Sequence, residues 1–279
     1  GGEAFLVSTA KKGLKCQQVM EALERIAPKR LAEEWDNPGL LVGSPAQEVH
    51  KILTCLDVTD EVVAEAIDIG ADMIVAHHPL IFKGIKKLRT DLPLGGRLQQ
   101  LLVHGIAVAA AHTNLDTAEG GVNDVLAEAI GLTDIQPFAA KAEEGAESTL
   151  GRIGYLPEPM AIEDFARQVK EALPVSHVRL VKAGEKKVKK VALCSGAGSE
   201  FIAKASFLGA DAYVTGDVKY HEAQQAVEMG IHVIDGGHFG TEFPVAAVLA
   251  DRLREELSGL KGEVEVVTDT RSQDVFAIV

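Results

Sequence analysis

Cysteine is scarce in this 279-residue sequence, and long apolar runs are missing. The three cysteines, Cys16, Cys55 and Cys194, form no CxxC pair and cannot all be bridged, so a reduced cytoplasmic compartment is the simplest interpretation. No apolar run approaches the ~18 residues of a membrane span, and we expect no membrane partner. Residues 1–12 have no basic start of a signal peptide and are expected to be an expression remnant or a frayed arm.

Basic residues are also under-represented: 28 lysines and arginines face 41 acidic residues, for a net charge of −13. Non-specific nucleic-acid binding requires a basic surface, so we expect none here. Hydrophobic residues make up 47% of the sequence and charged residues 25%, an ordinary composition for a globular protein. The length is sufficient for one large domain or two modest ones.

Apolar strand candidates alternate with helix-period segments along the chain. KILTCLDV, DEVVAEAIDIG and ADMIVAHH are followed by LGGRLQQLLVHG, IAVAAAH and GVNDVLAEAIG. This rhythm predicts an α/β fold with mostly parallel sheets covered by helices. Asp60 is expected to cap the helix that follows it, and Gly70 to end that helix. A late strand, EVEVVTD (263–269), is expected to complete the first half's sheet.

The sequence contains an internal repeat. Residues 52–78 match residues 191–217 without a gap, and Cys55 and Cys194 lie 139 positions apart. Shared features of any two βαβ units are the alternative explanation, but the constant spacing favours a true repeat. The segment HGIAVAAAHTNLD (104–116) is echoed by MGIHVIDGGHFGTE (229–242). We therefore predict two α/β halves related by a pseudo-twofold, each with its chemistry beyond the carboxyl ends of its strands.

Three predicted strand ends carry histidine, two of them with a carboxylate four residues later. The candidate metal ligands at these ends are His77, His78, Asp116, His238 and Glu242. Histidine and carboxylate together suit Zn²⁺, Mn²⁺ or Fe²⁺, and two ions that share an acidic ligand can activate a water between them. A pair of divalent ions is the prediction.

Each carboxylate also has a simpler structural interpretation. Asp116 would serve as a helix cap or turn residue. If the next helix begins near Thr241, Glu242 lies in its first turn, where the helix dipole favours an acid.

Two further groups of residues are candidates for contact with substrate. The loop after the histidine pair carries Lys83, Lys86, Lys87 and Arg89, which form either a solvated loop or an anion clamp for a phosphate group. The segment TGDVKYHEA contains Asp217, Tyr220 and His221. In the second copy of the repeat, this segment corresponds to the loop that follows the histidine pair in the first copy. These three residues are candidates for substrate contact or proton donation, and a structural hydrogen-bond network is the alternative.

Five segments resemble the signatures of a known family: WDNPGLLVG, AHHPLIFKG, HTNLD, TGDVKYHEA and GHFGTE. They are similar to those of the GTP cyclohydrolase I type 2 family, the Nif-three-like dinuclear-metal proteins. The resemblance implies that His77 and His238 bind one ion, that His78 and Asp116 bind the other, and that Glu242 bridges both.

The resemblance also implies two interlocked α/β domains and a homohexamer built as a trimer of dimers. We place the first, metal-binding domain at 14–135 plus 238–279 and the inserted domain at 136–237, with a linker or exposed loop at 138–149.

The activity implied is metal-dependent hydrolysis of a nucleotide or phosphorylated small molecule, as in opening of the guanine imidazole ring of GTP with release of formate. In that reaction His112 or His221 would move protons. A metal-binding regulatory or metal-handling protein without turnover is the alternative.

Overall fold

The computed structural model describes residues 11–137 and 150–279. The predicted linker at 138–149 lies outside these residues, as does the predicted N-terminal arm apart from its last two positions.

The described residues form ten α-helices. They are α1 (Cys16–Ile26), α2 (Asp60–Asp68), α3 (Pro93–Val103), α4 (Thr113–Thr117), α5 (Val122–Ala129), α6 (Ile162–Ala172), α7 (Ile202–Phe207), α8 (Tyr220–Met229), α9 (His238–Glu242) and α10 (Val245–Leu257). None of these helices has the length and apolarity that a bilayer crossing requires.

The same part of the chain forms thirteen strands. They are β1 (Leu14–Lys15), β2 (Gly39–Val42), β3 (Glu48–Val49), β4 (Lys51–Cys55), β5 (Met73–Ala76), β6 (Ala107–Ala110), β7 (Thr133–Pro137), β8 (Arg152–Met160), β9 (Arg179–Val181), β10 (Val188–Ala197), β11 (Ala212–Gly216), β12 (His232–Asp235) and β13 (Glu265–Thr268).

The first large sheet has the strand order β13-β4-β5-β6-β2. Its first four strands are parallel, and only β2 runs antiparallel to its neighbour. The prediction that the late strand completes this sheet is confirmed, because Glu265 pairs with Lys51. The central strands β5 and β6 are buried along their whole length, as expected for strands covered by helices on both faces.

The second large sheet has the order β7-β8-β10-β11-β12-β9 and is mixed. Only β10, β11 and β12 are parallel, whereas β7, β8 and β9 join in antiparallel pairs. The α/β class is therefore confirmed, and the parallel arrangement predicted for both sheets holds only at the centre of the second. A short antiparallel pair of β1 and β3 forms a third sheet.

The pairing of the central strands agrees with the internal repeat. Ile52 on β4 lies opposite Met73 on β5, and Val191 on β10 lies opposite Ala212 on β11, so both partners shift by the same 139 positions. The pseudo-twofold relation between the halves and the domain boundaries stay predictions.

Two equivalent aspartates clamp these strand starts. Asp72 accepts hydrogen bonds from the backbone nitrogens of His50 and Lys51, at 2.7 and 3.1 Å. Asp211 accepts from Lys189 and Lys190, both at 2.9 Å. Each carboxylate accepts hydrogen bonds from backbone N–H groups near the start of a strand. The same arrangement therefore occurs at β4 and at β10.

Helix α2 begins one residue earlier than the sequence suggested. Its cap is Thr59, whose hydroxyl accepts a hydrogen bond from the Val62 nitrogen. Asp60 is instead the first helical residue, where its carboxylate still favours the helix dipole and pairs with Arg97 at 2.9 Å. Gly70 adopts a φ of +69° just after the helix, as the prediction required.

We expect Asp211→Asn to destabilise the protein. Burial raises the pKa of Asp211, but Lys186 and the Lys189 and Lys190 nitrogens outweigh it and lower the pKa below the ordinary aspartate value. A lowered pKa means that the stabilisation is complete above about pH 4 and is lost as the pH falls through the folded pKa. Urea unfolding at pH 7 should show a loss of about 1–3 kcal/mol, shrinking under acid conditions. The exposed Asp251→Asn is the control, and an equal effect for both variants would contradict the clamp.

Candidate metal centre

The candidate ligands meet where strands of both large sheets end. His77 and His78 directly follow β5, and Asp116 lies on α4, just beyond β6. His238 and Glu242 lie at the two ends of α9, which follows β12 and packs against β10 and β11. The carboxyl ends of parallel strands thus bring together residues distant in sequence.

All five predicted ligands form one cluster. His77 Nε2 lies 3.1 Å from Asp116 Oδ1 and 3.9 Å from Glu242 Oε2. The same oxygen of Glu242 lies 2.6 Å from His78 Nε2 and 3.3 Å from His238 Nε2. Ligand atoms of His78, His238 and Glu242 are close enough to share one metal ion.

Four atoms of this cluster are buried without a hydrogen-bond partner: His77 Nε2, Asp116 Oδ1, His238 Nε2 and Glu242 Oε2. Buried polar atoms are almost always hydrogen-bonded, because an unpaired one loses its hydration without replacement. Here the unpaired atoms face one another and are all nitrogen or carboxylate oxygen. Divalent cations bound among them would satisfy these atoms, so the residues present fit a metal site.

The other ring nitrogen of each histidine is already engaged. His77 Nδ1 donates to the Ala111 carbonyl at 2.8 Å, His78 Nδ1 to Asp57 Oδ1 at 2.7 Å, and His238 Nδ1 to Asp217 Oδ2 at 2.8 Å. Carbonyl and carboxylate oxygens can only accept, so each Nδ1 carries a proton. Each Nε2 is therefore directed into the cluster, where a bound cation would take the place of its proton.

Charges in the cluster support one another. Burial opposes protonation of His78, but the neighbouring carboxylates of Asp57 and Glu242 outweigh it and raise the pKa of His78 to about 10. The neighbouring carboxylate of Glu242, opposed by burial, raises the pKa of His238 to about 9. Burial raises the pKa of Glu242, yet the histidines around it hold the pKa well below its usual range. The carboxylate remains ionised, which a cation site needs.

His112 extends the cluster and has its own carboxylate partner. Its ring centroid lies 5.3 Å from that of His77 and 5.5 Å from that of His78. Its Nδ1 donates to Asp36 Oδ1 at 2.8 Å, and Asp36 Oδ2 accepts from the Thr113 nitrogen at 2.9 Å. Asp36 and Asp57 were not singled out from the sequence. The only signal was the position of Asp36 inside the WDNPGLLVG segment.

Glu242 has room to enter the cluster because residue 196 is glycine. Gly196 has a φ of +72°, and a Cβ there would lie 2.1 Å from Glu242 Oε1. Gly196 lies 139 positions after Asp57, so the second half has a glycine at the position where the first half has an aspartate.

The helical setting of Glu242 differs from the prediction. It is the last residue of α9, not a first-turn acid of a helix beginning near Thr241. Pro244, which has no N–H to donate, separates α9 from α10, so the longer helix starts only at Val245. The dipole of α10 therefore does not explain why residue 242 is a glutamate. Asp116, the other carboxylate, is likewise not a helix cap, since the cap of α4 is His112.

The basic loop begins next to the cluster and then leads into solvent. The rings of Phe82 and His112 are 6.5 Å apart, and Lys83, Lys86 and Lys87 are exposed. Arg89 is bonded to Asp91 at 3.0 and 2.6 Å, so this cation already has a partner.

The TGDVKYHEA segment holds a ligand of the cluster through the side chain of Asp217. Asp217, with a φ of +54°, holds His238 from the turn between β11 and α8. His221 is exposed near the start of α8, where its ring contacts Tyr220, and no hydrogen bond within the described ranges links it to the cluster. A role for His221 in proton transfer stays a prediction.

Comparisons with known proteins identify close relatives. A family model described as Duf34/NIF3 (NGG1p interacting factor 3) matches residues 14–274. A GTP cyclohydrolase 1 type 2 homolog from Clostridium perfringens is 34% identical over 266 residues, which cover 95% of this chain and 100% of the relative. They confirm the resemblance that the five motifs predicted.

Solved structures agree with the sequence relatives. A Bacillus cereus protein related to NIF3 is 30% identical with a TM-score of 0.88, covering 96% of this chain and 100% of that one. A Staphylococcus aureus hypothetical protein is 32% identical with a TM-score of 0.89 and the same coverage.

We expect Gly196→Ala to weaken binding of Zn²⁺ or Mn²⁺ at least tenfold, because the new methyl group would displace Glu242. Gly184→Ala is the matched control, since Gly184 also has a positive φ, of +99°, but has nothing within 4 Å of its Cβ position. Both variants bear backbone strain, and only the first crowds the cluster. Metal titration should separate them, and equal affinities would rule out the steric argument.

Proposed function

The chain belongs to the Duf34/NIF3 family, and from this membership and its metal centre we propose that it is a hydrolase that uses two divalent metal ions. Its substrate is a nucleotide or another phosphorylated small molecule. The observation that carries the proposal is one cluster with four buried ligand atoms that have no hydrogen-bond partner. The name GTP cyclohydrolase 1 type 2 homolog, borne by several relatives, favours a nucleotide substrate.

The contacts favour a particular division of ligands. His77 and Asp116 would hold one ion, and His78 and His238 would hold the other. Glu242 lies close to the histidines of both groups, so it would be the ligand that the two ions share. This division differs from the one that the resemblance implied, which joined His77 with His238 and His78 with Asp116.

When bound, two divalent ions supply an activated water and polarise the group under attack. The chain's own residues prepare the site for this chemistry. Glu242 brings the negative charge that lets two cations lie close together. The oxygens of Ala111, Asp57 and Asp217 fix the histidine rings, so the ligands need not reorganise.

His112 is the proposed proton carrier. Asp36 holds the proton on Nδ1 and leaves Nε2 to accept or deliver another proton. An ionised carboxylate behind the ring also stabilises the imidazolium that forms when Nε2 accepts. Burial raises the pKa of Asp36, but its bonds to His112 and Thr113 outweigh that and keep it far below its usual range.

The basic loop is the proposed phosphate site. Lys83, Lys86 and Lys87 are exposed and have no ion pair within the described part of the chain. In a protein with a net charge of −13, such a segment is a local positive region that attracts an anion. Arg89, already bonded to Asp91, is expected to contribute less.

The accessibility of the cluster favours turnover over the alternative, a metal-binding regulator. The His238 side chain is 40% exposed, whereas that of Glu242 is 6% exposed. The cluster is therefore buried at Glu242 and borders solvent at the ring of His238, although the Nε2 atom of that ring is buried. Catalytic metal sites keep one coordination position for water or substrate, and a cluster at the edge of solvent is suited to that.

We also propose, from the family resemblance alone, that the chain assembles as a homohexamer, a trimer of dimers. The three cysteines are buried and unpaired, which supports the proposal of a reduced, cytoplasmic location.

We expect two equivalents of Zn²⁺ or Mn²⁺ per chain by elemental analysis. Asp116→Ala and His238→Ala should each bind one equivalent, because each variant removes a ligand from a different ion. His104→Ala is the control, since His104 is exposed and bonds only within its own helix turn, to Gln100. Saturation of the unmodified protein at one equivalent, unchanged by Asp116→Ala, would overturn the two-ion proposal.

We expect Glu242→Gln to reduce the hydrolytic rate at least ~100-fold, on the scale of losing a positioned catalytic group. Glutamine keeps the size of the side chain but removes the charge that holds two cations together. The assay follows GTP consumption and formate release, with a panel of phosphoesters beside it. Activity on phosphoesters but not on GTP would support a metal-dependent hydrolase whose substrate is not GTP. The absence of any Glu242-dependent turnover would favour the metal-binding regulator.

A further inference from the structure

The protein exposes two aromatic rings side by side. Trp35 is its single tryptophan, and this side chain is 56% exposed; Phe82 is 41% exposed. The ring centroids are 5.8 Å apart in an edge-to-face arrangement. Two large apolar rings in contact with water are unfavourable in free energy, and a bound partner that covers them would remove that cost.

The two rings, which we call the aromatic pair, adjoin the metal centre. The centroid of His112 lies 6.1 Å from Trp35 and 6.5 Å from Phe82. His112 in turn lies beside His77 and His78, at 5.3 and 5.5 Å. A continuous row of rings therefore runs from the cluster to the exposed surface.

The aromatic pair is held in place by partly buried hydrogen bonds of the residues that follow Trp35. Asp36, the residue after Trp35, is anchored by His112 and by the Thr113 nitrogen. The Asn37 side chain donates to the carbonyl of Ile81, next to Phe82, at 2.7 Å. This bond joins the two segments that carry the rings. The surface is thus formed before any ligand arrives, which lowers the entropy cost of binding.

We propose that the aromatic pair binds the planar ring of the substrate by stacking, while the loop from Lys83 to Lys87 binds its phosphate. The proposal rests on the proposed function and names the substrate class: a phosphorylated compound with a planar nitrogen heterocycle, as in a purine nucleotide. Bases stack well on aromatic side chains because every base has a π-face. The basic residues begin directly after Phe82, so ring and phosphate sites are contiguous.

Because Trp35 is the only tryptophan, its fluorescence reports on this surface alone. Metal-loaded protein is titrated with GTP, inorganic triphosphate and ribose 5-phosphate, with excitation at the red edge of tryptophan absorption. We expect saturable quenching by GTP and none by the two compounds without a ring. Quenching that is equal for GTP and triphosphate would overturn the proposal.

Variants test the same point by equilibrium dialysis with labelled GTP. Trp35→Ala should raise the Kd for GTP at least tenfold and leave that for triphosphate unchanged, whereas Trp35→Phe, which keeps a ring, should stay within about threefold. Phe207→Ala, another exposed aromatic residue, is the matched control and should change nothing. If Trp35→Ala binds GTP as well as the unmodified protein does, the pair is not a ligand site. The same conclusion follows if the only effect of the substitution is a change in the mass of the assembly, measured by light scattering.

These outcomes are separable from failure of the proposed function. Ring-dependent quenching without turnover of any substrate would support the aromatic pair and reject the hydrolase. If the protein turns over its substrate and Trp35→Ala leaves the KM unchanged, the aromatic pair is not a substrate site, while the hydrolase proposal stands.

Discussion

The arrangement of the protein depends on one buried carboxylate among three imidazoles. Glu242 lies almost out of water, and His77, His78 and His238 surround it at 2.6 to 3.9 Å. A buried charge is tolerated only when it is paired, so these groups must be placed together or the fold loses stability. Strands from both large sheets end at this point, and the need to neutralise Glu242 therefore constrains how the two sheets meet.

Glycine makes that meeting possible. A Cβ on Gly216, at the end of β11, would lie 2.6 Å from the Gly196 oxygen, the Gly237 carbon and the His238 nitrogen. Three backbone segments thus pass each other at distances that only glycine permits. Two positions 139 residues apart have different roles here: Asp57 orients His78, and Gly196 makes room for Glu242. The surroundings of the centre are therefore not symmetric.

Hydrogen bonding outside the cluster decides how its histidines can act. Asp57, Asp217 and the Ala111 carbonyl each accept from an Nδ1, and Asp36 does the same for His112. With Nδ1 occupied, each ring presents Nε2 to the centre. The same Asp36 segment places Trp35 at the rim, so the support of the centre and the surface beside it are built from one stretch of chain.

The sequence by itself determined the α/β class, the central parallel strands and the candidate ligands, because alternating apolar segments and histidines at strand ends are local patterns. It placed Glu242 in the wrong helical context and left Asp36 and Asp57 unassigned. Their partners lie far away in the chain, and Asp36 meets His112 across 76 positions. Only the tertiary structure decided which nitrogen of each histidine faces the centre. Hydrogen-bond partners between distant segments are set by how the sheets pack, and no local pattern encodes that packing.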